Sequence, residues 1–228
     1  FNVNLVYAFL TIVFVGCVGI VDDLFTLRQR YKPFLVALAS APLVLISSGR
    51  QEIWFPWIGP IFFGSIYLIF IPLGLATTSN MTNMLAGFNG LESGIGALSC
   101  FALGVLCAFS GRLDVSLLAF PLSAAFLAFL RYNWYPAKVF PGDTGTLISG
   151  AAIATISVFG GVEFAGMCMV APCAIDFALK MISRRPFSHR SLLGDTKVTD
   201  GNVLIAAPYK SLPHAFLKVA DLNEKELV

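Results

Sequence analysis

Apolar runs of bilayer-spanning length recur along this chain, and short polar or Gly/Pro-marked turns separate them. We predict membrane-spanning helices at residues 3–21, 33–49, 61–79, 91–110, 115–130, 145–161 and 164–182. Hydrophobic residues make up 57% of the 228 residues, which is more apolar surface than one soluble core can bury. The sequence therefore predicts an all-α fold, a polytopic integral membrane helix bundle with about seven transmembrane helices.

The polar end of the chain differs from the rest. Residues 1–182 are predicted to form the transmembrane bundle, whereas residues 183–228 are too polar to span a membrane and too short for a large domain. The chain begins at Phe1 rather than Met, and its first apolar run is a full-length helix rather than a signal-peptide core. We therefore expect an interior fragment of a longer protein.

Lys and Arg concentrate in one set of connections between the predicted helices. If the first helix ends in the cytoplasm, the outer connections hold Arg50 and Arg112. The cytoplasmic connections then hold Arg28, Arg30, Lys32, Arg131, Lys138, Lys180, Arg184, Arg185 and Arg190. This asymmetry follows the positive-inside rule and predicts the orientation. The net charge of +2 is too small to indicate nucleic-acid binding.

Residue types suited to metal and phosphate chemistry collect on the same predicted face. They are Asp22, Asp23, Asn80, Asn83, Asn89, Asp143 and His189. Asp22 and Asp23 end the first apolar run, which is the wrong end of a helix for anions because the macrodipole is negative there. A carboxylate costs about 2.5–3.5 kcal/mol at the bilayer centre, so the pair needs water, a cation or a phosphate-binding pocket.

Together these residue types indicate one kind of chemistry. Carboxylate and amide oxygens are hard ligands for Mg²⁺, which completes its coordination shell with substrate phosphates. Lys32, His189 and Arg190 add cations that suit a diphosphate. A metal, a diphosphate and a membrane face together indicate phosphoryl transfer from a nucleotide substrate to a lipid.

Several candidates also have a purely structural explanation. Asp143 precedes an apolar run and has the alternative explanation of an N-cap of the sixth predicted helix. Asn80 and Asn83 have the same alternative at the fourth predicted helix. The basic residues at 28–32 are explained by anchoring to anionic headgroups. The sequence leaves these alternatives open.

Asp176 favours a different class of protein. It lies inside the seventh apolar run, where an ionisable residue is typical of a secondary transporter or channel. Lys180 follows four residues later, so an i,i+4 ion pair near the cytoplasmic end is the simpler explanation.

Five motifs occur in order along almost the whole chain. They are Gly19-Ile-Val-Asp-Asp23, Thr82-Asn-Met-Leu-Ala-Gly-Phe-Asn-Gly-Leu-Glu92, Arg131-Tyr-Asn-Trp-Tyr-Pro136, Val139-Phe-Pro-Gly-Asp-Thr144 and Ser188-His-Arg190. With them the chain resembles the polyprenyl-phosphate N-acetylhexosamine-1-phosphate transferases of glycosyltransferase family 4. The second and third motifs are similar to those of the archaeal and eukaryotic UDP-GlcNAc:dolichyl-phosphate branch. The bacterial branch would be expected to carry Asp in place of Ala86 and Asn89.

The resemblance implies that UDP-GlcNAc and dolichyl phosphate give GlcNAc-diphosphate-dolichol and UMP. It implies that Asp143 and Asn83 hold Mg²⁺, or Mn²⁺ in its place. It also implies that Asp22 or Asp23 deprotonates or positions the lipid phosphate. The other implied substrate contacts are Lys32, Arg190 and His189 at the diphosphate and sugar, and Phe140, Gly87 and Asn89 at the uracil.

The resemblance also implies a cellular setting. We expect the protein to lie in an archaeal cell membrane, or in the endoplasmic reticulum membrane of a eukaryote, with its active face towards the cytoplasm. A homodimer is the oligomeric state that the resemblance allows. The family has ten membrane helices, so the first two and the last would lie outside this chain, and residues 183–228 would be the cytoplasmic loop before the last. Ser188 stands where the branch typically has Arg. The alternative within the enzyme class is a relative that uses another UDP-sugar or undecaprenyl phosphate.

Overall fold

The computed structural model describes residues 2–47, 49–85, 87–183, 197–198, 204–205, 211–219 and 223–227. Its long helices are α1 Val3–Phe25, α4 Tyr67–Leu85, α5 Leu91–Phe109, α6 Leu113–Asn133, α7 Gly142–Gly160 and α8 Glu163–Ser183. Its short helices are α2 Lys32–Ala39, α3 Ala41–Ile46, α9 Leu212–Leu217 and α10 Glu224–Leu227. Within these ranges, α1, α5, α6 and α8 are long and apolar enough to cross a membrane. The predicted polytopic helical membrane fold is confirmed.

The second predicted span, 33–49, is not one continuous helix. It consists of α2 and α3, which meet at Ser40, and together they cover only Lys32–Ile46. Pro42 lies in the first turn of α3, where its missing N–H and fixed φ are tolerated because that turn has no intrahelical acceptor for it. The proline thus starts a new helix where the apolar pattern predicted continuation.

The third predicted span, 61–79, is shifted towards the C-terminus. Residues 61–62 belong instead to a β-hairpin, in which β1 Glu52–Phe55 pairs antiparallel with β2 Gly59–Phe62. Gly59 has φ +87° at the hairpin turn, and Pro60 follows it, so neither residue favours a helix. The hairpin packs on α8 through Phe55 and Phe164, whose ring centroids are 5.6 Å apart. Apolarity alone gave no signal for these strands.

Helix α7 lies at the centre of the bundle, in contact with α1, α4, α5 and α8. Glycines allow the close crossings: a Cβ on Gly150 would lie 2.5 Å from the Cα atom of Ser79 on α4. Thr82 bonds across the same crossing, donating from Oγ1 to the carbonyl of Thr146 at 3.0 Å. Small and hydroxylic residues therefore place the first turns of α7 directly against the last turns of α4.

Candidate active site

The ends of four helices converge at one end of the bundle. Asp22 lies in the last turn of α1, Lys32 begins α2, Asn83 lies in the last turn of α4, and Asp143 lies in the first turn of α7. These are four of the residues for which the sequence predicts metal or phosphate contacts. The structure brings them into direct contact, although Asp143 is 111 residues from Lys32 and 60 from Asn83 along the chain.

The ammonium group of Lys32 lies between two carboxylates. Its Nζ is 2.8 Å from Oδ2 of Asp143 and forms a second ion pair with Oδ2 of Asp22. Lys32 is 4% exposed and Asp22 is 2% exposed, so both charges are held away from water. Buried charges are costly unless they are paired, and here each stabilises the other. The alternative that Lys32 is a headgroup anchor is wrong.

Asp143 is the solvent-accessible member of this group, which together with Asn83 we call the charged cluster: Asp22, Lys32, Asn83 and Asp143. Its Oδ1 accepts a hydrogen bond of 2.5 Å from Nδ2 of Asn83, and that amide also donates to Oγ1 of Thr146 at 2.8 Å. The side chain of Asp143 is 31% exposed, unlike those of Asp22 and Lys32. Carboxylate and amide oxygens are donor types that Mg²⁺ prefers, and Asp143 supplies the first with access to solvent. Asn83 meets Asp143 through its amide nitrogen, so its oxygen is not used in either of these two hydrogen bonds.

Asp23 has a different environment from its neighbour Asp22. Its carboxylate accepts hydrogen bonds from the backbone N–H of Asp143 at 2.7 Å, from the N–H of Thr144 at 3.0 Å, and from Oγ1 of Thr144 at 2.6 Å. These N–H groups belong to the first turn of α7, where the helix has no acceptors of its own. Asp23 therefore caps α7 from another helix, and the alternative that Asp143 is the N-cap is wrong.

Two glycines permit this contact between α1 and α7. A Cβ on Gly19 would lie 2.5 Å from the Cα atom of Thr144, so only glycine allows α1 to approach so closely. Gly142 has φ +60°, and a Cβ there would lie 2.8 Å from Oδ2 of Asp23. The first and fourth sequence motifs are thus two halves of one tertiary contact.

Asn80 and Asn83 lie inside α4 rather than at the start of a helix. Nδ2 of Asn80 donates to the carbonyl of Ala76 at 2.7 Å, one turn back in its own helix, whereas Asn83 contacts Asp143. The alternative that these residues cap a helix is wrong. Of the two, only Asn83 reaches the charged cluster in the described part of the chain.

The predicted uracil-binding residues lie in two connections beside the cluster. Residues 87–90 join α4 to α5, with Gly87 at φ +141° and its N–H bonded to Oε1 of Glu92 at 2.7 Å. The N–H of Asn89 donates to Oε1 of Glu224 at 2.9 Å. Phe140, just before α7, is 65% exposed, as a base-stacking residue must be. Their role at uracil stays a prediction.

The third motif shapes the connection that carries Phe140. Asn133, at the end of α6, is fully buried; its Oδ1 accepts from Oγ of Ser93 at 2.9 Å and its Nδ2 donates to the carbonyl of Val139 at 3.0 Å. A cavity of about 260 Å³ lies between the first turns of α5 and α7. Glu92, Ser93 and Thr144 are among the residues that line it.

The sequence alone predicted no role for four further residues of this region, Glu92, Asn133, Thr144 and Thr146. All but Thr146 lie within the five sequence motifs, and this membership was the signal in the sequence that could have identified them. Two predicted site residues, His189 and Arg190, lie outside the described residues, as does Ala86.

A large apolar cavity opens between α4, α8 and the β1–β2 hairpin. Its volume is about 620 Å³, and apolar and aromatic side chains dominate its lining. Thr77, Thr78 and Met81 line it on α4, within two turns of Asn83. Tyr67 and Glu163, whose side chains share a hydrogen bond of 2.6 Å, line it at the other end of the bundle. The cavity therefore runs from near the charged cluster along much of the bundle.

Three relatives carry informative names. The chain is 38% identical over 218 residues to a protein of Saccharolobus solfataricus named "Putative UDP-N-acetylglucosamine--dolichyl-phosphate N-acetylglucosaminephosphotransferase", with 94% of this chain and 66% of the relative covered. It is 30% identical over 184 residues to the Dictyostelium discoideum "UDP-N-acetylglucosamine--dolichyl-phosphate N-acetylglucosaminephosphotransferase", covering 66% of this chain and 45% of the relative. It is 32% identical over 154 residues to a "Phospho-N-acetylmuramoyl-pentapeptide-transferase" of Clostridium perfringens, covering 63% of this chain and 49% of the relative.

The chain thus spans between 45% and 66% of the length of these relatives. The sequence profile described as "Glycosyl transferase family 4" matches residues 5–161, a stretch that includes the first four motifs and every residue of the charged cluster. This match and the similarity to the archaeal and eukaryotic relatives show that the chain belongs to glycosyl transferase family 4.

Proposed function

We propose that this chain is the catalytic part of an enzyme that transfers N-acetylglucosamine-1-phosphate from UDP-GlcNAc to dolichyl phosphate. The observation that carries the proposal is the cluster of Asp22, Lys32, Asn83 and Asp143, which lies near one end of a large apolar cavity. In this cluster the buried Asp22–Lys32 pair lies beside the solvent-accessible Asp143. The names of the archaeal and Dictyostelium relatives support these two substrates. The product would begin the lipid-linked oligosaccharide used in N-glycosylation.

The proposed reaction is a single exchange at phosphorus. An oxygen of the lipid phosphate bonds to the phosphorus that carries the sugar, and the bond from that phosphorus to the bridging oxygen breaks. UMP leaves with the bridging oxygen, and the product is GlcNAc-diphosphate-dolichol. Such a transfer needs alignment and neutralisation of charge more than covalent work by the protein.

Asp143 and Asn83 would hold the Mg²⁺ ion. Their carboxylate and amide are in contact, Asp143 is open to solvent, and Mg²⁺ needs few protein ligands when phosphates complete its shell. When bound, the ion would neutralise charge on the diphosphate. Lys32 would add a fixed positive charge beside it, already oriented by Asp22.

Asp22 and Asp23 would play separate parts at the lipid phosphate. Asp22 orients Lys32, whereas Asp23 fixes the first turn of α7 and so places Asp143. Asp23 is the more exposed of the two, and it is the one that an incoming lipid phosphate can reach. We propose that Asp22 acts through Lys32 and that Asp23 positions the acceptor.

The nucleotide would lie over the 87–90 connection and Phe140. Phe140 offers an exposed aromatic face, and Gly87 allows close approach to the backbone. Asn89 lies in the same connection and would read the edge of the uracil. His189 and Arg190, outside the described residues, are proposed to contact the diphosphate and sugar.

The lipid chain would occupy the cavity of about 620 Å³ between α4, α8 and the hairpin. Its apolar lining suits an isoprenoid, and its position brings a phosphate at the near end towards the charged cluster. The site would face the cytoplasm, because the basic connections lie at the same end of the bundle. We propose an archaeal cell membrane, or the endoplasmic reticulum membrane in a eukaryote.

A second candidate within the family uses another UDP-sugar or undecaprenyl phosphate. The similarity to the phospho-N-acetylmuramoyl-pentapeptide-transferase of Clostridium perfringens favours it, but at lower coverage than the archaeal relative. The transporter alternative loses its main support, because Asp176 forms the expected i,i+4 ion pair with Lys180 at 2.7 Å.

The decisive experiment measures UMP release by the purified full-length protein. The substrates are UDP-GlcNAc with and without dolichyl phosphate, each with Mg²⁺ or with EDTA. We expect release only when lipid and Mg²⁺ are both present. Release from UDP-MurNAc-pentapeptide but not from UDP-GlcNAc would favour the second candidate, and no release from any UDP-sugar by folded protein would overturn both.

A further inference from the structure

A buried ion pair lies on α8, outside the charged cluster. Oδ2 of Asp176 is 2.7 Å from Nζ of Lys180, and Asp176 is completely buried. An ordinary i,i+4 pair on a helix surface is exposed to water and needs no further partner. A buried carboxylate is costly unless both of its oxygens have an ion-pair or hydrogen-bond partner. The partners of Asp176 and Lys180 therefore indicate what this pair does in the fold.

Each member of the pair also bonds to a different segment of the chain. Nζ of Lys180 donates to the carbonyl of Met84 at 2.5 Å, one residue after Asn83 in α4. Oδ1 of Asp176 accepts from the backbone N–H of Leu212 at 2.7 Å, in the first turn of α9. The pair thus joins the C-terminal end of α4 to the N-terminal end of α9.

Helix α9 in turn packs against the 87–90 connection. The rings of His214 and Phe88 meet edge-on with centroids 6.2 Å apart, and Phe88 and Leu217 share one buried apolar cluster. Burial lowers the pKa of His214, and the nearby Lys180 acts in the same direction. Farther along, Oε1 of Glu224 accepts from the N–H of Asn89.

We propose that Asp176 and Lys180 are positioning residues for the nucleotide, which hold α9 against the 87–90 connection and so fix the conformation of that connection. This inference rests on the proposed function only for the identity of the ligand. The physical reason is that residues 87–90 contain two glycines in the left-handed or extended positive-φ region, and such a backbone needs outside contacts to remain in one conformation. Lys180 bonds to Met84 in the last turn of α4, just before the connection, and α9 packs against Phe88 within it.

The test uses the full-length protein and two variants. Asp176→Asn removes the charge, and the double variant D176L/K180M replaces the whole pair with apolar side chains of similar size, which buried sites tolerate. Asp114→Asn is the matched control, because Asp114 pairs with Arg112 at the other end of the bundle. The first readout is hydrogen exchange of the backbone amides without any substrate.

We expect exchange to rise by about tenfold at residues 87–91 and 211–219 together in both variants, while the amides of α1 and α7 keep the wild-type rate. The control should match the wild type throughout. Faster exchange at 211–219 with no change at 87–91 would overturn the proposal, and so would an increase spread evenly over all helices.

The second readout separates positioning from general damage. In both variants we expect the KM for UDP-GlcNAc to rise about tenfold, with the KM for dolichyl phosphate and kcat within about twofold of the wild type. Equal increases in both KM values would overturn the proposal. Absence of UMP release by the wild type would count against the proposed function alone, because the exchange measurement decides the coupling without a substrate.

Discussion

The two ends of α7 use charged residues in different ways. At its C-terminal end, Arg50 donates to the carbonyl of Val158 at 2.5 Å and Arg112 to that of Phe159 at 2.9 Å. At its N-terminal end, Asp23 accepts from the first N–H groups. Both arrangements satisfy the free backbone groups of a helix end and suit its macrodipole.

The N-terminal end carries charges beyond those that capping requires. Asp22, Lys32 and Asp143 bond to one another, and none of the three side chains is needed to close the helix. At the opposite end, the guanidinium groups of Arg50 and Arg112 contact backbone carbonyls of α7 as well as a carboxylate each. Charges in excess of those that cap the helix, rather than charges as such, therefore mark the candidate active site.

The largest expected effect comes from Asp143→Ala. Removing this carboxylate takes away the proposed metal ligand, so UMP release should fall by about 10²–10³-fold, the range seen when a preorganised charge-stabilising group is lost. Asp114→Ala is the matched control, because the two side chains are 31% and 30% exposed. Equal rates of UMP release by the Asp143→Ala and Asp114→Ala variants would show that the candidate active site is not at the Asp143 end of the bundle.

Lys32→Met should lose activity and also stability. It leaves Asp22 buried without its cation, which costs about 3–5 kcal/mol when one partner of a buried pair is removed. Arg112→Met breaks a partly exposed pair, for which about 0–1 kcal/mol is typical, and a hydrogen bond to the carbonyl of Phe159, for which about 0.5–1.5 kcal/mol is typical. Denaturant unfolding of the two variants in the same detergent measures the difference. Similar losses would show that the cluster is no more buried in solution than the opposite end.

Gly142→Ala tests the contact between Asp23 and α7. Its φ of +60° disfavours alanine, and the added Cβ would meet the carboxylate of Asp23. Gly111→Ala is a control with φ +75° and no atom within 4 Å of an added Cβ, so it isolates the backbone cost of about 1 kcal/mol. Gly142→Ala should lower the melting temperature more than Gly111→Ala does, and it should also reduce kcat. Equal losses of melting temperature in the two variants would show that Asp23 does not pack closely against Gly142.

The smallest effect is expected for Asp23→Asn. The amide keeps one acceptor for the first turn of α7 but loses the charge and the second acceptor, so stability should fall by about 1 kcal/mol, the typical net contribution of one hydrogen bond. Activity should fall moderately, because Asp143 remains on a folded helix. Thermal unfolding and UMP release of the same preparation measure both. An activity loss as large as that of Asp143→Ala would mean that Asp23 takes part directly in the transfer.

Much of the fold was predictable from the sequence. Apolar length predicted the long helices to within a few residues, except where prolines and glycines interrupted the pattern. The broken segment Lys32–Ile46 and the hairpin at 52–62 were missed, because Pro42, Gly59 and Pro60 act through backbone geometry rather than through hydropathy.

The candidate site was predictable as a set of residue types but not as a set of contacts. Asp22, Lys32, Asn83 and Asp143 were all selected from the sequence, and all four meet. The different contacts of Asp22 and Asp23 could not be predicted from the sequence. These adjacent residues have different partners, because successive residues on a helix point about 100° apart. Only the placement of α7 decides which of them caps and which pairs.

The sequence by itself determined that the chain is a membrane helix bundle with its polar chemistry gathered at one end, because hydrophobic length and charge placement are local properties of the chain. Tertiary structure alone decided that Lys32 lies between two carboxylates and that Asp176 holds α9. The contacts of Lys32 with Asp143 and of Asp176 with Leu212 join residues 111 and 36 positions apart. The crossings of α1 and α4 with α7 also depend on small residues, such as Gly19 and Gly150. No local pattern encodes which helix a glycine will meet.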